Sequence, residues 1–117
     1  MYTLTREDCR QDLAAVIEAA ESPEAAYLAR TRLKRLILNC GRTIARENGI
    51  AEPILPGPFL APADCTQVVR DIAESCSRLC ESAEILCQPS EPLDERWHSG
   101  WTKVHVELDL LDQLLAR

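Results

Sequence analysis

Apolar residues recur at three- and four-residue intervals in four stretches of the chain, the signature of helices that bury one side. The first stretch spans about residues 5–21. Cys9, Leu13, Val16, Ile17 and Ala20 form its stripe. Thr5 is placed to cap it, with Glu7 and Asp8 at the positive helix end and Leu4 set to staple onto Cys9. Ser22-Pro23-Glu24 closes this element and opens the next, since serine caps well and proline suits a first helical turn.

The second helix is predicted over about 23–48, with Ala26, Ala29, Leu33, Leu36, Ile37, Cys40 and Ile44 inward. Asn48-Gly49-Ile50 reads as its stop, with glycine taking the left-handed conformation and Ile50 folding back onto the last turn. The third helix is predicted over about 63–88 and the fourth over about 91–116, where Leu93, Trp97, Trp101, Val104, Leu108, Leu111 and Leu115 keep the spacing. Ser99-Gly100 marks a weak point for a kink in the fourth.

Residues 49–62 (GIAEPILPGPFLAP) hold four of the seven prolines and no helical period, yet are too apolar for a floppy linker. They predict an ordered strap crossing between the second and third helices. In polyproline geometry it reaches roughly 40 Å, about the length of a 26-residue helix. The helices it joins can therefore run parallel or antiparallel, and the sequence leaves that open. The expected fold is all-α: a single four-helix bundle with a Pro-rich crossover.

Composition changes this picture in two places. Of 117 residues, 46% are hydrophobic but only five are aromatic, so aliphatic side chains and six cysteines must build the interior. With no secretory leader in view, a cytoplasmic setting and free thiols are expected. On a helical wheel Cys65, Cys76, Cys80 and Cys87 fall within roughly 60° of one another, and Cys9 and Cys40 lie on their own apolar stripes. Burial as small apolar residues is the expected role. The alternative is a copper(I) or zinc site, or a redox centre. Cys76-x-x-x-Cys80 would supply one half and Cys9 or Cys40 the other. Over that one helix the spacing resembles cysteine-lined bundles that store copper, although those carry far more cysteines.

Charge is the second change. A net charge of −6 disfavours nucleic acid and anionic membranes as partners, and no apolar run is long enough to span a bilayer. The segment 23–48 is nonetheless +4, against −10 for the remainder. Arg35, Arg42 and Arg46 fall within roughly 40° opposite its buried stripe. The fourth helix adds a second apolar row, Val106, Leu110 and Leu114, turned away from the first. His98 and His105 lie too far apart to chelate one ion, and no nucleophile elbow, phosphate loop or zinc-protease motif occurs. The expectation is a non-enzymatic protein without a cofactor. It would act through protein–protein contact as a homodimer, adaptor or inhibitor. Val106, Leu110 and Leu114 are the first interface candidates, Arg35, Arg42 and Arg46 the second.

Overall fold

The computed structural model describes residues 5–52, 58–87 and 94–116. Among them the chain is all-α, with five helices: α1 (Arg6–Ala19), α2 (Pro23–Leu28), α3 (Arg30–Glu47), α4 (Gln67–Leu86) and α5 (Glu95–Leu115). Leu4 and Leu93, and Pro53 to Gly57 of the strap, lie outside the described residues.

Local chemistry sets most of the helix ends. Thr5 and Asp8 form a reciprocal capping box, Thr5 accepting from the Asp8 amide and Asp8 accepting from the Thr5 amide. Ser22, Thr66 and Asp94 each accept an amide hydrogen bond from the residue three positions on. Because Thr66 is the cap, α4 starts later than the predicted residue 63, and Cys65 lies outside it. Gly49 has φ 70° and ends α3. The Ile50 amide donates back to the Ala45 carbonyl, the Gly49 amide to Arg46, and Ile50 is buried.

The predicted second helix is two helices. It breaks at Ala29 (φ −91°, ψ 6°), where Arg30 folds back on Tyr27. The Arg30 guanidinium donates to the Tyr27 carbonyl at 2.8 Å and lies 4.1 Å above its ring. The Tyr27 ring in turn meets Trp97 edge-on. The expected kink at Gly100 is absent: α5 runs through it unbroken. A β-carbon there would stand 3.2 Å from both Ile85 and Leu86, so the glycine serves close approach of α5 to α4.

The helix directions follow from the cross-helix contacts. Arg6 and Cys9 of α1 meet Glu47 and Thr43 of α3. Lys34 pairs with Glu84 at 3.1 Å, and the Cys87 thiol donates to the Arg30 carbonyl, so α3 and α4 are antiparallel. Ser75 and Arg78 reach Glu107, while Gly100 lies against Leu86, so α4 and α5 are antiparallel too. α4 packs closely on both α3 and α5, and α1 packs on α3. α1 reaches α5 through Arg10, whose guanidinium takes both oxygens of Asp112 at 2.9 and 3.3 Å.

The described parts of the strap do not run as an extended polyproline strut. Ala51 and Leu60 exchange both backbone hydrogen bonds in an isolated antiparallel bridge. Phe59 enters the core, and its amide donates to the Ser77 hydroxyl of α4 at 2.9 Å. One contiguous core joins Leu13, Leu33, Ile37, Cys40, Ile72, Cys76, Leu79, Trp97, Val104 and Leu111.

Candidate functional site

The six cysteines are free thiols. Cys9, Cys40 and Cys76 are buried, and Cys65, Cys80 and Cys87 are partly covered. The Cys9 sulfur lies 3.5 Å from the Thr43 hydroxyl. Cys80 sits over Gly41, where a β-carbon would come within 2.9 Å of its sulfur. Burial pushes the Cys40 and Cys76 thiols up to about 12, with neighbouring thiols adding to the rise. Burial also raises Cys80 to about 11, against a smaller downward pull from Arg42. At neutral pH these groups are protonated and poor nucleophiles. Among the described residues no three His, Cys, Asp or Glu side chains are grouped so as to hold a metal ion.

The apolar row on α5 does not stay together. Val106 is 57% exposed, Leu110 is half-buried, and Leu114 is 5% exposed and belongs to the core. The reason is the width of the arc that α4 covers. Leu114 follows Glu107 by seven residues and Gly100 by fourteen, and both of those face α4. Glu107 is itself a core residue that the sequence reading missed. Its carboxylate accepts from the Ser75 hydroxyl at 2.7 Å and from Arg78 at 2.6 Å. Ser75 and Arg78 lie 32 and 29 residues away in sequence, so no local signal marks the trio.

The arginines hold their predicted face. Arg35, Arg42 and Arg46 are all exposed on the outside of α3. Arg46 pairs with Glu52 of the strap at 2.9 Å. Among the described residues Arg35 and Arg42 form no hydrogen bond or ion pair. From Arg30 to Glu47 there are six basic residues and one acidic one.

Two further features lie outside the predicted sites. A groove of about 220 Å³ opens where α1 and α5 meet, lined by Arg6, Glu7, Arg10, Ile44, Asp112 and Leu115. In the N-terminal half of α5, Trp97 meets Tyr27 edge-on and stacks on Trp101, which meets His105 edge-on; the Trp97 indole nitrogen is buried and has no hydrogen-bond partner among the described residues. Their i, i+4, i+8 spacing on α5 is visible in sequence. Tyr27 is not placed by any local pattern.

In comparisons with known proteins, the chain matches no protein-family model, no curated protein and no solved structure. Among the described residues no helix is long and apolar enough to cross a membrane.

Proposed function

We propose that this chain is a non-enzymatic binding protein that works through protein–protein contact, with the outer face of α3 as its docking surface. The observation that carries this reading is that Arg35 and Arg42 stand exposed, and unpaired among the described residues, on a strongly basic helix of an acidic chain. Four other basic groups are matched to carboxylates at short range: Arg10 with Asp112, Lys34 with Glu84, Arg46 with Glu52 and Arg78 with Glu107. A charge row left open on one face favours an acidic protein surface by electrostatic complementarity. The four long helices form a bundle that holds this face rigid, with the strap braced against α4. The apolar row on α5 gives less support, since only Val106 of its three residues is openly exposed.

The test is binding of a labelled Glu-rich helical peptide, followed by fluorescence anisotropy beside a Lys-rich peptide of equal length. The proposal expects saturable binding of the acidic peptide alone, weakened at least tenfold by Arg35→Glu with Arg42→Glu and lost at high salt. Equal binding of both peptides, or no effect of the substitutions, would contradict it.

A second reading keeps the thiols as a copper, zinc or redox centre built on Cys76 and Cys80 with Cys9 or Cys40. Its support is that Cys80 and Cys40 lie close enough to Cys76, and Cys9 and Cys80 close enough to Cys40, to raise those thiols further. Stoichiometric copper or zinc on the anaerobically purified chain, lost in Cys76→Ala with Cys80→Ala, would favour it over packing.

A further inference from the structure

Outward-facing residues of α3 fall into a single row. Arg32, Arg35, Asn39, Arg42 and Arg46 follow one another at steps of three, four, three and four, the spacing that runs straight along a helix. The arginines of the row are exposed and Asn39 is half-buried. The row lies on the arc that no neighbouring helix covers. On one side of it Thr43 meets Cys9 and Glu47 meets Arg6, both on α1. On the other, Lys34 meets Glu84 and Gly41 lies against Cys80, both on α4. At 100° per residue the row falls between those two sides and opposite the buried Cys40.

The row has two distinct ends. Leu28 precedes Arg32 by four residues and is 83% exposed. The Ala29 and Leu33 amides still bond back to Ala25 and Ala29 across the break, which keeps Leu28 close to the line of the row. At the other end Arg46 is taken by Glu52, whose charge repels a further carboxylate there. Between these ends Arg32, Arg35 and Arg42 form no hydrogen bond or ion pair among the described residues.

The spacing selects the shape of the occupant. Steps of three and four residues advance about 4.5 and about 6 Å along the axis. A second helix lying alongside offers carboxylates at those same steps, so each guanidinium meets one. A strand offers same-face side chains about every 6.7 Å and slips out of step along the row. Asn39, in mid-row, can donate its amide hydrogens to a carboxylate opposite.

We infer that the occupant of this docking surface is one acidic α-helix of another protein. It lies along α3 with carboxylates over Arg32, Arg35 and Arg42, at the same alternating steps, and with an apolar residue over Leu28. The inference rests on the reading of α3 as the docking face and names its partner. From Arg32 to Arg46 the row is about 21 Å long, and one helix is about 10 Å wide, so the contact is on the order of 200 Å². A standard interface covers about 800 Å² per partner. The complex is therefore transient and salt-sensitive.

Two labelled helical peptides of identical composition test it by fluorescence anisotropy in low salt. In the first, four glutamates stand at steps of three, four and three, with a leucine four residues beyond them at either end, a pattern that reads the same in both directions. In the second, the same residues are spread evenly around the helix. The striped peptide should bind at least tenfold more tightly, and added salt should release it. Arg32→Glu, Arg35→Glu and Arg42→Glu should each weaken it several-fold. Leu28→Ala should weaken it too, but not a striped peptide ending in alanines. The variant carrying all three arginine changes should instead take the same stripe made of lysines, with circular dichroism showing its helices intact. Equal binding of the striped and spread peptides overturns the inference and leaves α3 as a face for acidic surfaces of any shape. A mixed-sequence DNA duplex that binds more tightly than the striped peptide overturns it too, in favour of a phosphate backbone. If neither peptide binds, the docking reading falls as well.

Discussion

At the scale of single residues, burial rather than chemistry governs the thiols. Cys40 and Cys76 have almost no solvent contact, and their thiolates would be stranded beside one another in an apolar core. A thiol reagent at pH 8 should therefore label Cys65 and Cys87 before unfolding, Cys80 far more slowly, and Cys9, Cys40 and Cys76 only with unfolding. Mass spectrometry of partially labelled protein checks the order. The same burial sets a pH dependence. The folded pKa lies above the ordinary value of 9.0, so the contribution of these thiols is intact below pH 9. It is lost as pH rises from about 9 toward about 12, because the unfolded chain ionises first. Denaturant melts of Cys40→Ala with Cys76→Ala should show a shallower alkaline loss than wild type. An identical slope would mean that these two thiols are not the groups responsible. Glu107 is the other buried group with a stake in stability. Truncating it to alanine leaves the Ser75 hydroxyl without its acceptor and should cost about 2–4 kcal/mol in a chemical melt.

At the scale of elements, the caps were legible and the contacts were not. Thr5, Ser22-Pro23 and Asn48-Gly49-Ile50 set helix ends by local hydrogen bonding, and each works as its sequence implies. The break at Ala29 is invisible locally, because Ala25-Ala26-Tyr27-Leu28-Ala29 is a good helix-forming run. The bend is braced by Arg30 on Tyr27 and by Tyr27 on Trp97, a residue 70 positions away in sequence. Gly100 misleads for the same reason: its missing side chain serves a neighbouring helix, not a kink. Leu114 is the clearest case at the candidate site. Its wheel position is right, but the buried arc is wider than one helix can reveal. Close approach also makes Gly41 testable. Gly41→Ala would bring a β-carbon to 2.9 Å from the Cys80 sulfur, and that crowding should outweigh the roughly 1 kcal/mol gain in helix propensity. The single variant should be destabilised by about 1–2 kcal/mol. Adding Cys80→Ala should recover part of that loss, a coupling that a double-mutant cycle of melts measures.

At the scale of the whole molecule, charge is sorted onto faces. Six basic residues lie in α3 of a chain whose net charge is −6. The excess of basic residues was legible by counting, and their common face by helical period. Which of them are already matched was not, because Lys34 and Arg46 find carboxylates on other elements. Only after those pairings, and Arg30 on Tyr27, are subtracted do Arg32, Arg35 and Arg42 stand out as open positions of α3 among the described residues. Reversing Arg35 and Arg42 should leave the melting temperature within a few degrees of wild type, since exposed charges add little to stability, while removing association.

The central claim is that the outside of α3 is the surface through which this protein acts. Amide chemical-shift mapping on the isotope-labelled chain, with the Glu-rich peptide added at a concentration where the chain alone is monomeric, tests it most directly. The account predicts shifts concentrated from Arg32 to Arg46 on the outer side of α3, absent after Arg35→Glu with Arg42→Glu. Shifts gathered instead around Val106 on α5, or in the groove between Arg6 and Leu115, would contradict it.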